Sequence, residues 1–158
     1  MFTPKACCKL QMQELQVQEL QGERMNWLAI IGAGVASWVF GAVWYGLLSK
    51  RWMAATGLTE EQITGSSGKP SPLPYAISFV LEIFMAFGLF MLLVHVYKEG
   101  FDVSDALYAA FAAWLAFVAP PLTINHRYSM QPWSLTAIDG LHWLGVLLVQ
   151  GVVLGVFL

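Results

Sequence analysis

The chain has 158 residues, of which 58% are hydrophobic and only 11% are charged, and its formal net charge is -2. Soluble domains carry about 25% charged residues, so this composition excludes an ordinary soluble protein and indicates a single polytopic membrane domain. The small negative net charge gives no support for a nucleic-acid partner. The two cysteines, Cys7 and Cys8, are adjacent in the chain, which argues against a disulfide framework.

Residues 1–24 differ in composition from the rest of the chain, because they are rich in Gln and Glu and contain the short repeat QMQELQVQELQ. A five-residue step keeps neither a helix face nor a strand face, and the segment lacks the apolar core of a secretory signal. Two interpretations remain open. The segment is an N-terminal extension, disordered or interfacial, or it lies upstream of a working start at Met25. In both cases we expect residues 25–158 to form the membrane domain.

Four long apolar stretches predict an all-α fold, a bundle of four transmembrane helices. A helix needs about 20 mostly apolar residues to cross the hydrocarbon core of a bilayer. The first stretch carries no charged residue from Met25 to Ser49, and the pair Lys50-Arg51 follows at once. The predicted spans cover residues 26–48, 75–97, 105–124 and 135–157.

The predicted loop 49–73 separates the first two spans. Its first part is expected to form a short interfacial helix, in which Thr59 caps a turn that carries Glu60 and Glu61. The remainder, rich in Gly, Ser and Pro, is typical of a flexible connector.

The third span is expected to begin near Asp105, which is placed to cap it. Pro120 and Pro121 follow near its end, and each proline removes one backbone donor. We therefore expect the helix to kink or to end early at the prolines, with a less regular segment completing the crossing. Residues 124–135 are then expected to form a short polar loop.

Small residues recur at helical spacing in the first and last spans. In lipid, helices associate where small side chains allow their backbones to approach, so these positions predict helix packing, although small residues are common in membrane helices anyway. The positions are Ala29, Ala33, Ser37, Gly41, Gly151 and Gly155.

The orientation depends on where the chain starts. Over the full chain the basic residues divide evenly between the two sides. If the chain starts at Met25, the loop 49–73 holds most of the remaining basic charge. The positive-inside rule then predicts a cytoplasmic loop and both termini outside.

Glu82 is the most informative single residue, because it lies near the middle of the second span. An acid at that depth costs about 2.5 to 3.5 kcal/mol on insertion scales. Its helical neighbours Ser78 and Ala86 are small, which favours an inward-facing side. Two interpretations stay open: a carboxyl group that handles protons or cations, and a hydrogen-bonded carboxyl that ties helices together.

Asp139, His142 and Gln150 share one stripe of the fourth span. An Asp-His pair one turn apart is able to fix a histidine tautomer, relay a proton or contribute two metal ligands. Two ligands alone do not make a metal site, and helix capping by Asp139 combined with hydrogen bonds between helices explains the stripe equally simply. We predict no metal and no cofactor.

Standard catalytic motifs are missing from the sequence, which has no Gly-rich phosphate loop, no nucleophile elbow and no flanked catalytic cysteine. We therefore predict no catalytic residue. We expect that the protein is not an enzyme, although the sequence leaves this question open. His95, His126 and Arg127 are interpreted as interfacial.

Three stretches carry a family resemblance: MNWLAIIGAG, WYGLLSKRWMAATGL and PWSLTAIDGLHWLGVLLVQGVVLG. They resemble the Domain of Unknown Function 1761 family, small and mostly bacterial membrane proteins with four predicted helices. The resemblance covers about residues 25–158 and implies this fold and a location in the bacterial inner membrane, but no activity. Its motif residues here are Trp44, Tyr45, Gly46, Trp52 and Gly57.

Three functions are compatible with these features. The first is a small oligomeric transport or permeation protein in which Glu82 and the stripe of the fourth span line a polar intramembrane cavity. The second is a structural or accessory subunit of a larger membrane complex. The third and weakest is a membrane enzyme with Asp139 and His142 as acid and base. The expected partners are the lipid bilayer and either further copies of the chain or another membrane protein.

Overall fold

The computed structural model describes residues 4–65 and 68–158, and for residues 4–26 it describes the backbone only. The predictions for Cys7 and Cys8 therefore lie outside the described side chains. Within the described residues the chain is helical and has no strand. The helices are α1 (Pro4–Thr56), α2 (Glu60–Thr64), α3 (Leu73–Val96), α4 (Val103–Ala113), a π-helical segment (Trp114–Val118), α5 (Ala119–Tyr128) and α6 (Trp133–Phe157).

Four helical stretches in the described part of the chain are long and apolar enough to cross a membrane. The predicted all-α bundle of four transmembrane helices is therefore confirmed, and the chain is an integral membrane protein. The third span consists of α4, the π-helical segment and α5 in continuous succession. The spans are Trp27–Thr56, Leu73–Val96, Val103–Tyr128 and Trp133–Phe157.

The first helix is longer than its predicted span at both ends. Its backbone is helical from Pro4 and runs into the first span without a break, while the separate role predicted for residues 1–24 stays a prediction. At the other end, α1 continues beyond Lys50-Arg51 to Thr56. Charged residues can end the membrane crossing, but they do not end helical hydrogen bonding. Gly57 does so, because its φ of +73° is a left-handed conformation that glycine adopts readily.

The predicted cap of the short loop helix is confirmed. The backbone N–H of Gln62 donates to the Thr59 hydroxyl at 3.3 Å, and the Gln62 side chain accepts from the Thr59 N–H at 2.9 Å. This reciprocal pair satisfies two of the donors that a helix start leaves free. The helix is the five-residue α2, whereas the residues from Lys50 to Thr56 belong to α1.

The predicted cap of the third span was wrong by one turn. Asp102 is the cap, and its carboxylate accepts from the Asp105 N–H at 3.0 Å. Asp105 instead occupies the third helical position and accepts from the Asp102 N–H at 3.3 Å. Two acids three residues apart are both compatible with a capping box, and the sequence alone does not decide which one is outside the helix.

The proline pair does not end the third span, so the predicted early end with a less regular segment is wrong, whereas the alternative of a kink stays a prediction. Immediately before the prolines the helix widens to five π-helical residues, and the Ala119 N–H bonds to the carbonyl of Trp114. A wider turn accommodates a proline ring that would otherwise clash with the preceding turn. The helix then continues to Tyr128, so the predicted loop 124–135 shrinks to residues 129–132.

The bundle is held together by close helix contacts at glycines. α1 packs on α3 and α6, and α4 packs on α6. A Cβ atom added to Gly34 would lie 2.8 Å from the Cα of Ile83, and one added to Gly155 would lie 2.6 Å from the Cα of Val103. Such approach of two backbones is what small residues permit in lipid. Around these contacts lies an apolar core of Ile30, Ala33, Ala86, Leu89, Leu93, Ala106, Ala110, Leu147 and Leu154.

Candidate functional site

A cavity of about 260 Å³ lies between α1, α3 and α6. It extends from Glu82, in the middle of α3, to the residues that begin this helix, so it reaches the membrane side on which α3 and α6 start. Beyond Glu82 the same three helices pack on the buried apolar core, and the cavity ends there. The lining residues are Trp38, Gly41, Ala42, Tyr45, Pro74, Tyr75, Ser78, Glu82, His142 and Trp143.

Glu82 forms the inner end of this cavity. The residue is only 3% exposed, and within the described part of the protein its Oε2 atom has no hydrogen-bond partner. Burial of a polar atom without a partner costs free energy, so this one oxygen of the carboxyl is held in an environment that does not satisfy it. The backbone carbonyl of Glu82, in contrast, accepts a hydrogen bond of 3.0 Å from the amide of Gln150.

His142 is the second polar group of the cavity. It is 4% exposed, and neither ring nitrogen has a partner among the described residues. The imidazole lies among aromatic rings, with centroid distances of 4.6 Å to Tyr45 and 4.9 Å to Trp143. Gly41 makes room for it, because a Cβ atom at this glycine would lie 2.9 Å from Nε2 of His142 and 3.8 Å from Oε1 of Glu82. Both groups therefore approach the same small volume.

Asp139 lies outside the cavity lining but is connected to it through Tyr45. The Tyr45 hydroxyl donates to Oδ1 of Asp139 at 2.9 Å, and Nε2 of His126 lies 3.7 Å from Oδ2. The interpretation of Asp139 as a helix cap does not describe this arrangement, since α6 begins at Trp133 and its cap position is Pro132. Asp139 and His142 share a helix but do not hydrogen-bond to each other, because both nitrogens of His142 lack a described partner.

Gln150 belongs to a hydrogen-bond network that adjoins the cavity at Glu82. Its amide nitrogen donates to the Ser37 hydroxyl and to the Glu82 carbonyl, both at 3.0 Å, and Ser37 in turn donates to the carbonyl of Gly34. These bonds tie α6 to α1 and α3. Gln150 therefore forms hydrogen bonds between helices, which is one of the two interpretations of the stripe on the fourth span. Glu82 and His142, in contrast, share a cavity.

The residues predicted to pack helices lie at these helix interfaces. Ala29, Ala33, Ser37 and Gly41 are buried along α1. Gly151 lies against α4, where a Cβ atom would approach the carbonyl oxygen of Ala106 to 3.0 Å, and Gly155 lies against the start of the same helix. The stripe of small residues on α1 is thus covered inside one protomer.

Sequence reasoning missed the role of three residues. Tyr45 continues the four-residue spacing from Ser37 through Gly41, and this spacing was a signal that its ring faces the bundle interior. Trp38 lines the cavity, and its indole N–H donates to the Tyr75 carbonyl and the Ser78 hydroxyl, both at 3.1 Å. His126, interpreted as interfacial, approaches Asp139; no local pattern predicts that contact, because α5 and α6 meet only in the fold.

The motif residues that carry the family resemblance lie near the hydrogen-bonded pair of Tyr45 and Asp139. The Trp44 indole N–H donates to the Ile138 carbonyl at 3.2 Å, and the Trp52 ring packs edge-on against Tyr45 with centroids 6.2 Å apart. Gly57 ends α1 with its positive φ, and the position of a Cβ at Gly46 meets open space. The motif therefore attaches the end of α1 to α6 beside the cavity.

The described residues contain no group of three or more His, Cys, Asp or Glu side chains that would hold a metal ion. What the geometry offers is one carboxyl, one imidazole and several aromatic rings around a small cavity. This set is suited to hydrogen bonding and to the binding of a solute.

The fold and the site define an integral membrane protein with four transmembrane helices and a mostly apolar cavity that contains the carboxyl of Glu82 and the imidazole of His142. Residues 28–155 match the family described as "Protein of unknown function (DUF1761)". The chain belongs to this family, as the sequence resemblance predicted. No curated protein and no solved structure matches the chain.

Proposed function

We propose that this protein is a small membrane transport protein and that the cavity between α1, α3 and α6 is its solute-binding site. The observation that carries the proposal is the convergence of Glu82 and His142 on one cavity, with Oε2 of the acid and both nitrogens of the imidazole buried and without partners among the described residues. The amide nitrogen of Gln150 shows what a structural role looks like, because it donates to α1 and α3, although Oε1 of the same side chain also lacks a partner among the described residues.

The shape of the cavity supports a carrier rather than an open pore. Its lining reaches Glu82 from one side of the membrane only, and the buried apolar core closes the other half. A solute bound at Glu82 would leave on the opposite side after a rearrangement of the helices, as in transporters whose site near the bilayer midplane is exposed to one side at a time.

The accessory-subunit alternative has less support from the packing. The sequence features that favour it are the stripe of small residues on α1 and the abundance of Trp and Phe. α3 and α6 already cover the stripe within one protomer. The membrane enzyme is disfavoured as well, because Asp139 is bonded to Tyr45 and not to His142.

The proposal includes a location and an assembly. We propose the bacterial inner membrane, with the loop 49–73 in the cytoplasm, because this loop holds most of the basic charge if the chain starts at Met25. We also propose a homo-oligomer, in which a second copy would shield the open side of the cavity from lipid. In this orientation the cavity would open toward the cytoplasm.

Osmotic re-swelling of proteoliposomes tests the transport proposal for several classes of solute in one assay. Vesicles shrink when a solute is added outside and re-swell as it enters, which light scattering follows. The panel is an ammonium thiocyanate salt, a sodium carboxylate with an ionophore and a neutral polyol. We expect faster re-swelling than in protein-free vesicles for one class, with loss of this gain in Glu82→Gln and its retention in the lipid-facing control Leu81→Ile.

Two results would overturn the proposal. One is re-swelling at the protein-free rate for all three classes of solute. The other is equal rates for the wild type and Glu82→Gln, since a solute that passes the protein without the help of Glu82 does not use this cavity.

A further inference from the structure

We infer that the cavity binds a small organic ammonium ion, with the carboxyl of Glu82 as its counter-charge. The inference rests on the proposed function, whose binding site it specifies. It starts from the composition of the lining, which contains one acid and no Lys or Arg among the described residues. An unpaired carboxylate inside a membrane is costly, and a bound cation would supply the missing charge.

The aromatic side chains of the lining favour an organic cation. Trp38, Tyr45, Tyr75 and Trp143 all line the cavity. Two of them have their polar atoms engaged at other partners: the Trp38 indole N–H bonds to α3, and the Tyr45 hydroxyl bonds to Asp139. What these two side chains offer to a solute is therefore their ring carbons. Aromatic rings around a carboxylate attract an ammonium group through their negative faces.

The hydrogen-bonding groups of the cavity select an ammonium ion that carries N–H donors. Oε2 of Glu82 accepts hydrogen bonds, and a neutral imidazole offers one acceptor nitrogen. Both atoms are buried and lack partners within the described residues. An alkylammonium head group would donate both to the carboxylate and to the acceptor nitrogen of the imidazole, whereas the acid would repel an anion.

The volume of the cavity favours a small solute. A water molecule occupies about 30 Å³ in the liquid, so about 260 Å³ corresponds to roughly nine non-hydrogen atoms at that density. The cavity has an open side, so a longer solute would extend out of it. A primary amine with a short branched alkyl chain fits, with its head at Glu82 and its chain along the rings.

Binding of three compounds of equal shape tests the inference directly. The probes are isobutylammonium chloride, isobutanol and sodium isobutyrate, added to the purified full-length protein in detergent, with intrinsic tryptophan fluorescence and calorimetry as readouts. We expect saturable binding of isobutylammonium and at least about tenfold weaker binding of the other two, because removal of a close charge pair costs more than tenfold in affinity. Equal affinity for isobutanol or isobutyrate would overturn the inference, and this comparison needs no variant.

Matched variants locate the binding in the cavity. Glu82→Gln is expected to weaken isobutylammonium binding at least about tenfold. Gly41→Ala, whose methyl group would meet the imidazole of His142, is also expected to weaken it, whereas Gly46→Ala on the same helix meets open space and is expected to bind as the wild type does. Wild-type affinity in Glu82→Gln, or equal affinity in the two alanine variants, would contradict the assignment.

The experiments distinguish a failure of the ammonium site from a failure of the transport function. Tight binding of isobutylammonium without solute-driven re-swelling would remove the transport function and leave the ammonium site. Re-swelling with a different solute class, together with no binding of isobutylammonium, would remove the ammonium site and leave the transport function.

Discussion

The hydroxyl of Tyr45 on α1 donates a 2.9 Å hydrogen bond to Asp139 on α6, and the ring of the same tyrosine lies 4.6 Å from the imidazole of His142. One side chain thus joins the first span to the last and forms part of the cavity wall. Its hydroxyl connects the two helices, while its ring lines the cavity.

The Tyr45–Asp139 bond predicts measurable coupling between the two residues. In a double-mutant cycle of Tyr45→Phe and Asp139→Asn, we expect a coupling free energy of about 0.6 kcal/mol and at most about 1.7 kcal/mol, the range of hydrogen bonds inside membrane proteins. The measurement is reversible unfolding in mixed micelles. Strictly additive effects would mean that the bond does not form.

A second prediction concerns the close contact of α1 and α3. We expect Gly34→Ala to destabilise the protein by about 1–3 kcal/mol, as overpacking does in other cores, because the added methyl group would lie 2.8 Å from the Cα of Ile83. Gly32→Ala, on the same helix, meets nothing within 4 Å and serves as the matched control. Equal unfolding free energies for the two variants would refute this packing.

A third prediction concerns Asp102, the cap of α4: we expect its contribution to the stability of the fold to be lost in acid. Hydrogen bonds from the Ser104 hydroxyl and then from the Asp105 N–H hold the pKa of Asp102 below its ordinary value of 3.8. A lowered pKa in the folded protein means that the ionised group stabilises the fold at neutral pH, and that this contribution is lost as the pH falls below about 4.

The matching measurement compares the wild type with Asp102→Asn, which keeps a capping side chain but cannot ionise. We expect the thermal stability of the wild type to fall more steeply with acidification than that of the variant. Parallel profiles for the two proteins would show that Asp102 does not contribute in this way.

A fourth prediction concerns orientation. With the loop 49–73 in the cytoplasm, four spans leave the C-terminus outside. A C-terminal alkaline phosphatase fusion, active only outside the cytoplasm, is expected to be active, and a C-terminal green fluorescent protein fusion is expected to be dark. The reverse pattern would place the mouth of the cavity, beside Pro74, on the outer side.

Much of the fold was predictable because the bilayer constrains it strongly. Four apolar stretches of sufficient length leave few alternatives to four helices. The helix boundaries were harder to predict, because a helix does not have to end where polar residues begin. α1 continues past Lys50-Arg51, and α5 carries His126 and Arg127 in its last turn. The π-helical segment before Pro120 was also beyond prediction, because a helix has several ways to accommodate a proline.

The site was only partly predictable. The burial cost of an acid at mid-span singled out Glu82, and the stripe of the fourth span singled out His142 together with Asp139 and Gln150. Which of them share a cavity depends on how the helices rotate and pack, and one sequence does not determine this. The connection from Tyr45 to Asp139 spans 94 positions of the chain, and only the fold brings the two residues together.

The most direct test of the central claim is the chemical accessibility of the cavity wall. Ser78 lines the cavity and is half-buried, while Val80 on the same helix is 56% exposed. With Cys7 and Cys8 replaced by serine, single cysteines at these two positions are treated with a charged methanethiosulfonate reagent in native membranes. A cavity that admits water and solute predicts modification of Ser78→Cys, slowed by isobutylammonium, and little modification of Val80→Cys. Equal reactivity at the two positions, or an inert Ser78→Cys, would contradict a cavity that is open to solute.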